Sequence, residues 1–322
     1  MKKLLSLIMA TLTALTLTVS ATACTPKDDA TIEVGILQVA THSALDAARE
    51  GFKEVVDAWA KEKGKTVKYN EQNANGDPTA EVTIAEGMIA KNPDLVLGIA
   101  TSSARALANA TGSIPVLFTA VTAPVEENLI RENVTGTSDL NPVVDQIALI
   151  KEIVPGATKV GFLYNSSENN SVTQYNIAKA KEAELGIELV DFTASQSSDI
   201  ATVVDSIGAD IDAVYIPTDN LMAENMQAVC SVLHAKGIPV VPGESGMCED
   251  GEGVATLGID YYELGKQTGQ MAVAILSGEK KASEIEFEYY NKESTFYINE
   301  SNAAILGLTQ EQIQALKDKY SK

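Results

Sequence analysis

Two histidines, three cysteines and one tryptophan are all that the 322 residues hold of those types. Neither histidine has a Cys or His partner at ligand spacing, and no HExxH or CxxC occurs, so no metal site is expected. Three cysteines do not make a disulfide framework. Cys230 and Cys248 read as buried or unpaired thiols. Basic residues are the second shortage: 24 Lys and Arg stand against 44 Asp and Glu, a net charge of −20. That balance is unfavourable for nucleic acid or an anionic surface as a partner. Neither GxSxG nor GxxxxGK[ST] is present, which removes the common hydrolase elbow and the P-loop. His42 is then the one candidate base at a strand end, and holding a ligand or a loop suits it better than catalysis. No enzyme and no cofactor are expected.

A long apolar run does occur, but only at the start. Lys2 and Lys3 precede "LLSLIMATLTALTLTV", an uncharged core, and then "SATAC". Residues 1–23 read as a secretory signal peptide. Ala21-Thr22-Ala23 suits ordinary signal peptidase. Followed by Cys24, the same residues resemble a bacterial lipobox, which makes Cys24 the lipidated first residue and residues 24–30 a tether. A lipid-anchored chain lies on a membrane without spanning it, and no later stretch reaches the 18 or more apolar residues a span needs.

From Thr31 the chain alternates β-rich runs with amphipathic helical runs. "IEVGIL", "TVKYN", "DLVLGIA" and "PVLFT" form one set, and "TKVGFLY", "IELVDF", "DAVYIP" and "IPVV" form a second. Such alternation implies an α/β protein with parallel sheets and helical crossovers. Pro124, Gly136 and Pro142 interrupt the pattern between the sets. The length exceeds what one core organises, so two lobes are expected: residues 31–140 plus 256–283, and 141–255 plus 284–322. "IEFEYYNKESTFYIN" (285–299) reads as one extended stretch with a break, and 302–320 as helical.

Ligands of open α/β sheets sit beyond the carboxyl ends of the strands, and six of those ends carry small polar residues. They hold Thr41, His42 and Ser43; Thr101, Ser102 and Ser103; Thr119, Ala120 and Thr122. In the second set they hold Asn165, Ser167, Glu168, Asn169, Asn170 and Ser171; Asp219 and Asn220; and Glu244. One cap residue per helix would suffice, so "YNSSENNS" reads as a cleft wall, with Asn170 and Ser171 also capping the next helix. Ser102, Ser103 and Thr122 at helix starts suit a carboxylate. Glu168, Asp219 and Glu244 suit an ammonium, and both acids Glu168 and Asp219 are expected to matter more to ligand than to stability. A zwitterion has both groups. Sugar sites add stacking aromatics and Arg, and Arg105 is the one Arg near a strand end. "EDGEG" (249–253) reads as a solvated loop.

The runs "HSALDAAREGF", "YNEQNANGD", "VTAPV", "NVTGTSDL", "KVGFLYNSSENNS", "VYIPTDN" and "GIDYYELGKQTGQMA" resemble, in order, the tryptophan/tyrosine-binding family of ABC transporter substrate-binding lipoproteins. The resemblance implies a type I periplasmic-binding-protein fold, two Rossmann-like lobes joined by a three-stranded hinge. It implies capture of an aromatic amino acid such as Trp, Tyr or Phe, and delivery to a permease and an ATPase. The family's first loop matches His42 to Asp46, its carboxylate-binding pair Ser102 and Ser103, its Asn/Ser/Glu loop Asn165 to Ser171, and its turn Pro217 to Asn220. Two departures stand out: Ala123 where the family commonly has Asp, and Ser102-Ser103 where it has Pro-Ala. A membrane-tethered extracytoplasmic monomer is expected. A sensory lipoprotein, or an importer component for a sugar or nucleoside, is the alternative.

Overall fold

The computed structural model describes residues 30–320; the expected leader and Cys24 lie outside the described residues. In chain order the first lobe builds β1 (Thr31–Gln38), α1 (Ser43–Glu62), β2 (Thr66–Asn73), α2 (Pro78–Ile89), β3 (Leu95–Ile99), α3 (Thr101–Ala110), β4 (Val116–Thr119) and β5 (Val134–Ser138). The second builds α4 (Val143–Ile153), β6 (Lys159–Tyr164), α5 (Asn169–Leu185), β7 (Glu188–Thr193), α6 (Ser197–Ser206), β8 (Ala213–Ile216), α7 (Asn220–Ala235), β9 (Val240–Pro242), α8 (Ser245–Glu249) and β10 (Ala255–Gly258). Then α9 (Tyr261–Leu276), β11 (Glu288–Tyr289), β12 (Thr295–Ile298), α10 (Glu300–Ile305) and α11 (Gln310–Tyr320) shuttle between them.

The first sheet runs β2-β1-β3-β4-β5-β11 and the second β7-β6-β8-β9, with neighbouring strands parallel throughout both. Parallel strands are covered on both faces, and adjacent residues accordingly feed opposite cores. Ile36 and Leu97 pack with Phe52 of α1 and Leu264 of α9, while Leu37 and Val96 pack with Met88 of α2 and Leu107 of α3. Phe162 and Tyr215 likewise meet Ile147 of α4, and Leu163 and Val214 meet Met222 of α7.

β5 was hidden by Gly136. A Cβ there would lie 2.0 Å from the Phe118 carbonyl oxygen, so glycine marks the close approach of two buried strands and not a break. The crossings also differ from expectation. β10 pairs antiparallel with β12 and both feed the second-lobe core, through Ala255 and Phe296. Glu288 and Tyr289 pair with Thr137 and Ser138 of the first lobe. The chain therefore crosses near Asn141, after Gly258, and between Tyr290 and Thr295. Extended segments that pair with only one partner carry no burial pattern to announce which lobe they join. The terminal helical region is two helices, parted at Gly307 with φ 95°.

α9 completes the first lobe by crossing α1 at very short range. A Cβ on Gly51 would stand 2.0 Å from the Tyr262 carbonyl oxygen, and one on Gly265 2.0 Å from that of Ala48. Backbone cannot yield as a side chain does. Gly265→Ala is expected to lose about 1–3 kcal/mol or more of stability, whereas Gly87→Ala, with open space around it on the exposed face of α2, should gain about 0.5–1 kcal/mol. Urea unfolding of both variants checks the contrast; equal effects would refute the close-crossing account.

Candidate functional site

Strand order reverses between β1 and β3 in one lobe and between β6 and β8 in the other, and ligands bind at such switch points. The two switch points face each other. Between them lies an inner space lined from the first lobe by His42, Leu45, Ala100, Thr101, Ala120, Thr122, Asp139 and Tyr261, and from the second by Asn170, Thr218, Asp219, Asn220 and Glu244. It adjoins a cavity of about 420 Å³ at the cleft mouth, walled by Val39, Pro78, Glu81, Ser102 and Arg105 opposite Asn165, Ser167, Glu168, Asn169 and Leu221. On the other rim, a groove of about 450 Å³ runs between Thr41, His42 and Ser43 and the α7–α8 surface.

The inner wall carries strain. Ala100 has φ 77° and Ala120 φ 56°, a region that suits glycine, at about 1–3 kcal/mol each. Ala100 immediately precedes α3, and its twist turns the helix start, with its unpaired N–H groups, toward the gap. Thr101 stands there 5 % exposed, and its Oγ1 is buried without a hydrogen-bond partner. A buried hydroxyl left unpaired is unfavourable, so this atom points to a ligand acceptor or donor.

Carboxylates crowd the same region. Glu168 accepts from Asn165 Nδ2 (3.3 Å), Asn170 Nδ2 (3.1 Å), Asn220 Nδ2 (2.6 Å) and the N–H groups of Asn220 and Leu221 (3.1 Å each). Asp219, 1 % exposed, accepts from Asn165 N, Ser171 Oγ and Met222 N, the last as the N-cap of α7. Burial, then the neighbouring Glu168 charge, raises the Asp219 carboxyl above the usual carboxylate range. Glu244 is 2 % exposed and raised by burial, with His42 opposing. Glu81 is raised by burial while Ser103 and Ser102 hydroxyls donate to its Oε1 at 2.7 and 2.9 Å. Asp139 accepts from Tyr261 OH at 2.9 Å and Thr122 Oγ1 at 3.1 Å.

Of the residues expected from the sequence, His42, Thr101, Ala120, Thr122, Asn170, Asp219, Asn220 and Glu244 line the inner space. Ser102, Asn165, Ser167, Glu168 and Asn169 line the mouth, and Thr41 and Ser43 the other rim. Ser103, Thr119 and Ser171 reach none of these cavities: they are fully buried and bonded to Glu81, Thr137 and Asp219. Asn170 and Ser171 do not cap α5; their side chains turn to Thr218 O and Asp219. Asp219 is anchored as a helix cap, so its removal disturbs the lobe as well as the cleft. The expected carboxylate pair is likewise altered, since the Ser102 and Ser103 hydroxyls already hold Glu81.

Sequence reasoning missed Glu81, Asp139 and Tyr261. Glu81 shares the buried stripe of α2 with Ala85 and Met88, and an acid on an apolar i, i+4, i+7 stripe was the available signal. Asp139 follows the strand that Gly136 concealed, and no signal marked the Tyr261 hydroxyl. Cys230 and Cys248 are buried free thiols.

The lobes touch across the gap. His42 Nε2 lies 3.2 Å from Asn220 Oδ1, Thr41 N donates to Glu224 Oε1 at 3.4 Å, and Asn169 Nδ2 donates to Glu127 Oε2 at 3.1 Å. Two facing α/β lobes, a three-segment crossing and a polar cleft at both switch points define a two-lobed ligand-binding protein of type I periplasmic-binding-protein architecture. The family profile described as "ABC transporter substrate binding protein" matches residues 33–320, and the chain belongs to that family. It is 34 % identical over 295 residues to a tyrosine-binding protein of Clostridioides difficile (strain R20291), covering 90 % of this chain and 84 % of that one. It superposes with a TM-score of 0.81 on an ABC domain in complex with L-Trp from Streptococcus pneumonia, at 32 % identity over 88 % of this chain and 98 % of that one. Against a ligand-free, open substrate binding protein with adhesive properties from Clostridium difficile the TM-score is 0.65, at 35 % identity over 87 % and 96 %. The cross-lobe bonds make this structure a closed one.

Burial raises the Asp139 carboxyl from 3.8 to about 6, against the Tyr261 and Thr122 hydrogen bonds. Between those values the folded chain holds a proton that the unfolded chain has released, so this group's contribution to stability falls as pH rises through the window. The full penalty is about 3 kcal/mol above pH 6. Asp139→Asn is expected to flatten the thermal-stability profile between pH 4 and 6.5; an unchanged slope would refute the assignment.

Proposed function

We propose that this chain is the extracytoplasmic substrate-binding component of an ABC importer, that it captures an aromatic amino acid between its lobes, and that it performs no catalysis. The observation that carries the reading is the orphaned Thr101 hydroxyl at the start of α3, facing buried acids across one small space. A ligand carboxylate fits the α3 N–H groups and Thr101. An ammonium fits among Asp219 and Glu244 of the second lobe and Asp139 of the first, which have His42 as their sole basic neighbour among the lining residues. The side chain would extend toward the mouth, where Val39, Pro78 and Leu221 offer apolar surface between amides. The tyrosine-binding relative and the L-Trp complex support the ligand class.

The same reading makes the chain a monomer that hands its ligand to a permease and an ATPase, tethered through a lipid on Cys24. Among the described residues no helix is long and apolar enough to cross a membrane. Cys24→Ser is expected to shift the protein from the membrane fraction to the soluble fraction of cells; unchanged partitioning would remove the anchor from the reading.

Titration calorimetry of the mature chain from Thr25, stripped of ligand by unfolding and refolding, tests the ligand class. L-Trp, L-Tyr or L-Phe is expected to bind tightly, and silence from all three discards it. Thr101→Val should weaken that binding by roughly tenfold while leaving ligand-free stability equal or slightly higher, because it deletes an unsatisfied buried hydroxyl. Equal affinity in the variant would take Thr101 out of the site.

A further inference from the structure

The cross-lobe bond at Glu127 involves no residue of the inner space. Glu127 sits in the segment between β4 and β5, 9 % exposed, and its Oε2 accepts both from Arg105 Nη1 of its own lobe at 3.0 Å and from Asn169 Nδ2 of the other at 3.1 Å. Asn169 is the exposed first residue of α5, directly after Glu168. When the lobes part, Asn169 leaves with its exposed amide free to meet water, and Glu127 keeps Arg105. Neither side is left with an unpaired buried charge, which would be severe. A contact that can be broken at so little penalty on either side suits a reversible catch.

We infer that Glu127 and Asn169 form a closure latch: a positioning pair that holds the closed form by protein–protein contact alone and slows ligand escape, without touching the ligand. The latch needs no ligand atom, so it holds a closed population in the ligand-free chain as well. Asn169 stands at the rim of the cleft mouth with Arg105 and Ser167, and Glu127 lies behind Arg105, bonded to it. Arg105 fixes the Glu127 carboxylate, which makes the acceptor ready before the lobes meet.

The test separates the latch from a ligand contact. Spin labels at Val82→Cys and Ile305→Cys, both exposed and on different lobes, report the interlobe distance by pulsed EPR, since Cys230 and Cys248 are buried. The ligand-free wild type is expected to show a closed population that shrinks in Asn169→Ala and in Glu127→Ala. Dissociation of L-Trp, followed by stopped flow, should quicken roughly three- to tenfold in each. The double variant should be no faster than either single one, because the two act through one bond. Additive effects would assign Asn169 to the ligand instead. No closed population in the ligand-free wild type, or one unmoved by either substitution, would overturn the latch. This kinetic arm rests on the aromatic amino-acid reading. If wild type ignores L-Trp, L-Tyr and L-Phe, that reading falls while the distance measurement still decides the latch.

Discussion

Glu168 takes five hydrogen bonds from its own lobe, more donors than a carboxylate has lone-pair sites, and the face that the second lobe presents depends on it. Two of those donors are the first N–H groups of α7, where the helix dipole favours an anion. A third is the Asn220 amide nitrogen, which fixes that amide so that Oδ1 points across the gap. His42 Nε2 must then carry the proton in the bond they share. One residue on, the same turn delivers Asn169 to Glu127. Both contacts thus hang on one anchored carboxylate, and with its capacity filled Glu168 serves the ligand only indirectly.

The first lobe solves the matching problem with Glu81, a carboxylate on a neighbouring helix held by two hydroxyls at the start of α3. It differs in one respect that shapes the cleft. Glu81 draws on hydroxyls, whereas Glu168 draws on backbone N–H groups, so the α3 helix start keeps its N–H groups for another partner while the α7 start does not. On the proposed reading, lobe one thereby supplies the carboxylate end of the space, while the cation end draws on Asp219 and Glu244 of lobe two together with Asp139 of lobe one. That polarity gives a zwitterion one orientation in which both ends are matched.

Much of this was legible in the residues. Parallel α/β order follows from runs such as Leu95–Ile99, too uniformly apolar for anything but a strand covered on both faces. The cleft was visible because the strand ends carry more Asn, Ser and Thr than capping needs. What the pattern hid has physical reasons. Gly136 is read as a breaker by any local rule, yet it is there to let β5 approach Phe118, a fact of tertiary packing. Asp139 disappeared with that strand. Ser103 and Ser171 looked like Ser102 and Ser167, because their full burial follows from packing around distant acids, Glu81 and Asp219. The crossings escaped because Glu288–Tyr289 pairs with a strand some 150 positions earlier, at Thr137 and Ser138, and sequence periodicity cannot see its partner.

Closure gathers Asp219 and Glu244 from one lobe against Asp139 from the other, around a space whose single basic side chain is His42. Each of these acids is raised by burial, which means that the closed form disfavours their charge more than water does. Two strained residues, Ala100 and Ala120, line the same space. The closed arrangement is therefore loaded electrostatically, whereas the strain at Ala100 and Ala120 belongs to the first lobe alone; hydrogen bonds such as those of His42 and Asn169 oppose opening. An ammonium group placed among the acids relieves the electrostatic part, and it can do so only when both lobes surround it. A ligand shifts an equilibrium by no more than its difference in affinity for the two states. On the proposed reading that difference is built from carboxylates that no single lobe brings together, which makes recognition of the cation and closing of the cleft one event.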